Sequence, residues 1–286
     1  MEHTDQGDPV SRRVRAVALS PRIQFGDVDG NLARLADALA EASGDTDQLI
    51  VAPELATSGY VFLDQAEARD LGMSRTDARL AGLSRVIGPR AVAVVGFCER
   101  DGGDLYNSAA VITREGIQAV YAKSHLWSAE SAIFRPGPSA GIVVDTEIGR
   151  VGVAVCYDNE FPEVPRGLAL AGADILALPV CWPLVPRPDG ERAPEIVQAM
   201  AAARSSRLPT VIADRHGSER DVVWTGGTAV IDGDGWVVAE AAGASTEAVL
   251  DITPGHKALG RWNDLFGDRR PDIYASPDPH TREGSS

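Results

Sequence analysis

The stretch GRVGVAVCYDNEFPEVPRGLALAGADILALPV, residues 149–180, decides the fold class of this chain. Its first ten residues read as a buried apolar strand that runs into a cysteine. Residues 164–173, VPRGLALAGA, carry apolar side chains at helical spacing, and DILALPV is a second strand. A strand, a helix and a strand in succession call for a crossover connection, which places parallel strands under a covering helix. Cys156 stands where the first strand ends, and Asp158, Glu160 and Glu163 follow at once. Carboxylates make a thiolate harder to form, so their presence beside a reactive cysteine asks for a reason.

The same rhythm extends to both sides. Residues 14–20, 48–54 and 91–100 read as strands, with helices over 31–43 and 76–88 between them. Residues 106–113 and 117–123 form a predicted hairpin around Arg114-Glu115-Gly116. Further on, a helix is predicted over 193–208, with Pro194 in its first turn. Strands from PTVIADR, GGTAVIDGDG and WVVAEAA close the pattern. The expectation is an α/β protein of mixed sheets with helices on the outer faces. No composition break divides it, so one domain is expected over 13–275, with loose tails at 1–12 and 276–286.

Composition narrows the function. The 286 residues are 44% hydrophobic, which suits a large core, and the formal net charge is −14. That charge disfavours nucleic acid and anionic membranes as partners. No apolar run approaches the roughly 20 residues of a membrane helix, and the polar N-terminus lacks the pattern of a secretory signal. Cys98, Cys156 and Cys181 form no regular framework, so a reducing cytoplasm is the expected compartment. The five histidines are scattered, and no metal-binding or phosphate-cradling motif is present, so neither metal nor cofactor is expected.

Three side chains mark strand ends, where α/β folds display reactive groups. Glu54 closes QLIVAPE, where desolvation raises a carboxylate's pKa and makes it a better base near neutrality. Lys123 follows IQAVYA, and an ammonium beside Cys156 favours thiolate and later an oxyanion. Cys156 is the nucleophile of this set, with Glu54 as the base that takes its proton. The bland alternatives are a packed cysteine, a solvated glutamate and a surface lysine. His125, two residues after Lys123, offers a rival Cys–His dyad.

The stretches APELATSGY, YAKSHLWSAESAIFRPG, the Cys156 segment, EIVQAMAAARS and DRRPDIY occur in one order across most of residues 14–274. In them the chain resembles the nitrilase superfamily of carbon–nitrogen hydrolases. The resemblance implies a four-layer αββα sandwich, a Glu54–Lys123–Cys156 catalytic set and a second glutamate, Glu130, that holds the lysine. It further implies an oxyanion site made by Lys123 and the Tyr157 N–H, no cofactor, and a homodimer or higher homo-oligomer. The acids after Cys156 are then expected to fix its turn, with Glu163 near the positive end of the following helix.

The local sequence favours a small carboxylic amide as substrate, cleaved to acid and ammonia through a thioester. In nitrilases tryptophan and glutamate follow the cysteine, whereas here Tyr157 and Asp158 do. A nitrilase or N-carbamoyl hydrolase is the alternative, with an N-acyltransferase or an inactive binding scaffold further off. Tyr60, Trp127, Tyr157, Asn159, Cys181 and Trp182 are the expected pocket residues. Arg187, in a Pro-rich loop, and Asp214, Arg215 or His216 are candidates for meeting a charged group on the substrate, although for residues 214–216 a salt-linked loop is the favoured reading.

Overall fold

The computed structural model describes residues 11–274. The first half of the chain gives β1 (Arg12–Ala18), α1 (Val28–Ala42), β2 (Gln48–Val51), α2 (Gln65–Leu71), α3 (Ala78–Gly82), β3 (Ala91–Asp101), β4 (Asp104–Thr113), β5 (Gly116–Ala122) and α4 (Glu130–Ile133). The second half gives β6 (Ile142–Thr146), β7 (Gly149–Val153), α5 (Glu163–Leu170), β8 (Ile175–Pro179), α6 (Pro194–Ser206), β9 (Thr210–Ala213), β10 (Ser218–Glu219), β11 (Val222–Val223), β12 (Gly227–Ile231), β13 (Val237–Ala242), β14 (Thr246–Ile252) and α7 (Pro271–Tyr274). The chain divides into a body that runs through His256 and a short unit from Lys257 onward, which holds α7. The expected flexible tails lie almost wholly outside the described residues. Arg12, assigned to the first tail, instead begins β1, where it pairs with Ile252.

Two six-stranded sheets form the body, ordered β14-β1-β2-β3-β4-β5 and β13-β12-β9-β8-β7-β6. Each has the same design. Three central strands run parallel (β1, β2 and β3 in one sheet, β7, β8 and β9 in the other), and antiparallel partners flank them. The sheets face each other through β1, β2 and β3 on one side and β8, β9 and β12 on the other. Helices cover the outer faces, which gives the expected αββα order. On one face Leu32, Leu35 and Leu39 of α1 pack with Ile50, Ala93 and Val95 of the first sheet, all buried. On the other, α5 and α6 pack together, and α6 lies on β12.

Some boundaries differ from the sequence reading for identifiable reasons. Helix α1 starts before Asn31 because the Asp27 carboxylate caps it, accepting from the Gly30 N–H at 3.2 Å. The predicted helix over 76–88 is shorter: Asp77 caps α3, a 3₁₀ turn follows at Leu83–Val86, and Ile87 is already extended ahead of Pro89. Helix α2, the β10–β11 ribbon and β14 were not anticipated. Strand β14 is an edge strand whose solvent-facing positions, among them Glu247 and Asp251, dilute its apolar signal.

Candidate active site

The ends of β2, β5 and β7 bring the three predicted side chains to one place. The Glu54 N–H reaches across from the first sheet and donates to the Val180 carbonyl beyond β8, at 3.3 Å. This crossing needs Gly96 on β3, where a Cβ would lie 2.4 Å from the Pro53 carbonyl oxygen. Lys123, just past β5 of the same sheet, is fixed by its backbone, donating to Asn107 O and accepting from Gly137 N, each at 2.8 Å.

Around the Lys123 ammonium the side chains form a closed, fully buried network. Its Nζ donates to Glu54 Oε1 at 2.7 Å and to Glu130 Oε2 and Oε1 at 2.8 and 3.0 Å. Asn107 bridges the two glutamates, its Nδ2 donating to Glu54 Oε1 at 2.7 Å and to Glu130 Oε1 at 2.8 Å. Glu130 Oε2 also accepts the Trp127 N–H at 2.7 Å, which ties the start of α4 to the network. Sequence reasoning missed Asn107. Its only signal was a lone amide in the apolar strand YNSAAVIT.

Burial works against every charge here, and the partners decide the outcome. Burial lifts the Glu54 carboxyl, Lys123 pulls it back and Glu130 lifts it further, leaving it raised to about 7. Burial disfavours the Lys123 ammonium, but Glu54 and Glu130 outweigh that and hold it well above its ordinary value. The Cys156 thiol is pushed well up, by burial and then by Glu54, with Lys123 opposing. The cysteine therefore rests as a thiol. Glu54 Oε2 is buried and has no hydrogen-bond partner among the described residues, while the Cys156 thiol interacts with this carboxylate.

Cys156 opens a 3₁₀ turn, Cys156–Glu160, with a left-handed φ of 49°. A non-glycine residue in that region stores about 1–3 kcal/mol of strain, so surrounding bonds must hold it. Asp158 supplies them. Its Oδ2 accepts from Tyr121 OH at 2.8 Å and Val155 N at 2.9 Å, and its Oδ1 accepts from His125 N at 3.0 Å and Ser124 Oγ at 3.0 Å. Asp158 is thus a turn fixture, as expected of the acids after the cysteine, and Glu163 sits in the first turn of α5, whereas Glu160 stands at the cavity. His125 belongs to this scaffold. Its Nδ1 lies 2.8 Å from Asp158 Oδ1 and its ring stacks on Phe161 at 3.9 Å. That geometry gives it a structural task in place of the rival dyad.

Above the thiol opens a cavity of about 260 Å³ lined by Tyr60, Trp127, Cys156, Tyr157, Cys181 and Trp182, five of which are expected pocket residues. Glu160 and Glu195 stand at the same cavity, and among the described residues no basic one lines it. Burial and the nearby Glu195 raise the Glu160 carboxyl. The sixth expected residue, Asn159, is not part of the lining. It is buried in the Cys156–Glu160 turn. The Pro-rich loop borders the cavity through Pro183 and Val185, but Arg187 lies past that stretch and lines a separate groove with Arg192 and Gly226.

The charges of residues 214–216 are absorbed internally. Asp214 Oδ1 accepts the Trp182 N–H at 3.1 Å and Oδ2 accepts the Gly227 N–H at 2.7 Å, which seats Trp182 in the cavity wall. Arg215 is buried and donates to Glu219 Oε2 at 2.5 Å. Glu219 Oε1 in turn accepts the Tyr60 and Val61 N–H groups at 2.8 and 2.5 Å. Gly59, at φ 89°, lets the chain turn there; a Cβ would lie 2.7 Å from Phe25 and 2.8 Å from Glu219. The buried Arg215–Glu219 pair therefore positions Tyr60. His216 Nδ1 pairs with Ser20 Oγ at 3.0 Å. Among the described residues no group of three or more His, Cys, Asp or Glu is arranged to hold a metal ion, and no helix is long and apolar enough to cross a membrane.

This geometry has relatives. Residues 13–258 match the family model described as carbon-nitrogen hydrolase; DRRPDIY lies beyond the matched residues. A protein named nitrilase from Pyrococcus abyssi (strain GE5 / Orsay) is 34% identical over 272 residues, covering 92% of this chain and 98% of its own. An (R)-stereoselective amidase from Pseudomonas sp is 34% identical over 252 residues, covering 86% of this chain and 87% of its own. Among solved structures, a mutant of the Nesterenkonia AN1 amidase from the nitrilase superfamily aligns with a TM-score of 0.74 at 25% identity, over 93% of this chain and 97% of that one.

Proposed function

The chain belongs to the carbon–nitrogen hydrolase family, the nitrilase superfamily, and from that premise we propose that it hydrolyses a carboxylic amide to the acid and ammonia through a thioester on Cys156. The observation that carries this reading is the buried Glu54–Lys123–Glu130 network against the Cys156 thiol, with the Glu54 carboxyl near neutrality. A carboxylate of that pKa is half ionised near pH 7, which suits a group that must both accept and return a proton.

The steps follow from the resting thiol. As Cys156 Sγ bonds to the amide carbonyl carbon, its proton passes to Glu54 and the carbonyl electron pair moves onto oxygen. Lys123 carries three N–H bonds. One goes to Glu54, and a single forked bond spans both Glu130 oxygens, which frees the third for the oxyanion. The Tyr157 N–H, next in chain to Cys156, is the second donor of this reading. Collapse breaks the C–N bond, and Glu54 passes its proton to the departing nitrogen, which leaves as ammonia. Water then gives a proton to Glu54 and its oxygen to the thioester carbon. The S–C bond breaks, and Glu54 returns the proton to sulfur. One amide and one water become one acid and one ammonia.

The cavity also speaks to substrate charge. With Glu160 and Glu195 at its lining and the Lys123 ammonium already matched by Glu54 and Glu130, a substrate bearing its own carboxylate meets repulsion, so a neutral or cationic amide is favoured. The Pyrococcus abyssi relative's name supports nitrile hydrolysis as the second reading. Ammonia release from matched amides, nitriles and N-carbamoyl compounds separates them. Amides are expected to turn over fastest; a preference for nitriles or carbamoyl compounds would overturn the assignment. Product formed only with an added amine acceptor would identify an acyltransferase.

A further inference from the structure

A second chamber, about 310 Å³, adjoins the catalytic cavity and shares Tyr60, Trp127 and Pro183 with it. Its own walls come from Phe62, Phe134, Val222 and Trp224. One charged side chain, Glu130, reaches it. That carboxylate's oxygens are already taken by Lys123, Asn107 and the Trp127 N–H, so it offers a newcomer little. The aromatic walls brace one another. Phe62 and Phe134 meet edge to face at 5.8 Å, and Tyr60 meets Trp224 likewise at 5.5 Å. Ile133 and Phe134 continue into a buried apolar cluster with Leu55 and Leu105. The chamber is therefore preformed and apolar, and Tyr60, which divides it from the thiol, is held by Glu219.

None of the chemistry derived above uses this space. Ammonia is too small and too polar to fill it, and an acetyl group is far smaller than its volume of about 310 Å³. Water in an aromatic-walled chamber is favourably displaced by an apolar group. We infer that the chamber is the acyl-chain subsite, and that the substrate is a primary carboxamide whose acyl chain carries an apolar group of about aryl size. This rests on the amidase reading, in which ammonia leaves and only the acyl part can bear the substituent.

The test compares kcat/KM for ammonia release from acetamide, hexanamide and 3-phenylpropanamide, using the full-length protein. Burying a whole apolar group of phenyl size is worth roughly 10–160-fold, so 3-phenylpropanamide is expected to exceed acetamide by up to about 10²-fold, with hexanamide between. Val222, half-buried on the short strand β11, permits a bulky replacement that fills the chamber at its rim. Val222→Trp is expected to cut the phenylpropanamide-to-acetamide ratio at least about tenfold, and Val222→Phe serves the same purpose should the tryptophan variant unfold. A ratio near one in the parent protein, or a ratio that neither variant lowers, overturns the subsite while leaving the amidase reading intact. Ammonia from none of the amides defeats both together.

Discussion

Replacing Asn107 with leucine tests whether the buried amide sets the working pKa of the base. The side chain keeps its approximate volume but loses the Nδ2 donor that reaches Glu54 Oε1 at 2.7 Å and Glu130 Oε1 at 2.8 Å. The backbone carbonyl that holds the Lys123 N–H is unaffected, so the lysine stays in place. A hydrogen bond to a charged group contributes about 1.5–3 kcal/mol. Since one pKa unit is about 1.4 kcal/mol, losing it lifts the Glu54 carboxyl by roughly one to two units. The starting point is about 7. The sign is fixed by the role: the ionised carboxylate is the base, so activity grows as pH rises through its pKa, and raising that pKa moves the acid limb of kcat/KM to higher pH. At pH 7 the ionised fraction drops from about one half to between about one tenth and one hundredth, a loss of roughly 5- to 50-fold. The loss is expected to be recovered at high pH, where Lys123 remains charged because its own pKa is held well above the ordinary value. The assay is a pH profile of ammonia release for the parent and the variant. An acid limb that stays in place, or a loss equal at every pH, would refute the reasoning.

Other substitutions probe the scaffold. Asp158→Asn puts an amide nitrogen where a carboxylate accepts from Tyr121, Val155, Ser124 and His125, and is expected to lower stability by about 1–3 kcal/mol, read by denaturant unfolding. Gly59→Ala forces a Cβ against Phe25 and Glu219 at φ 89°, and is expected to cost at least about 1–2 kcal/mol and to weaken substrate binding by moving Tyr60. A melting temperature and KM equal to the parent's would contradict that. His125→Ala is expected to retain far more turnover than Glu54→Gln, because the imidazole holds the Asp158 turn and the carboxylate moves the protons. Equal losses would restore the dyad.

Motifs with fixed order were legible in the sequence, and relationships made only by packing were not. Glu54, Lys123 and Cys156 could be read because each ends an apolar strand, and the family resemblance added Glu130. Asn107 was hidden because, although the β4–β5 hairpin was legible, its partners Glu54 and Glu130 come from segments 53 and 23 residues away, which no local pattern encodes. The substrate wall was partly legible: aromatic residues beside the motifs line the cavity, while Asn159, on the Cys156 turn, is buried and takes no part in the lining. The Arg215–Glu219 ion pair fits the salt-linked loop favoured for IADRHGSER, but its burial was not legible, because that depends on Tyr60 and Trp224 from outside the loop. Strand β14 was missed because an edge strand need satisfy only one face, and its charged face masks the apolar one.

The account turns on a covalent bond between substrate and one sulfur. Rapid quenching of the protein during turnover of an amide, followed by intact mass and peptide mapping, observes that bond directly. A mass increase equal to the acyl group, located on Cys156 and lost on standing in water, is the predicted result. Steady ammonia release with no acyl increment at any quench time, or an increment carried by Cys98 or Cys181, would contradict it.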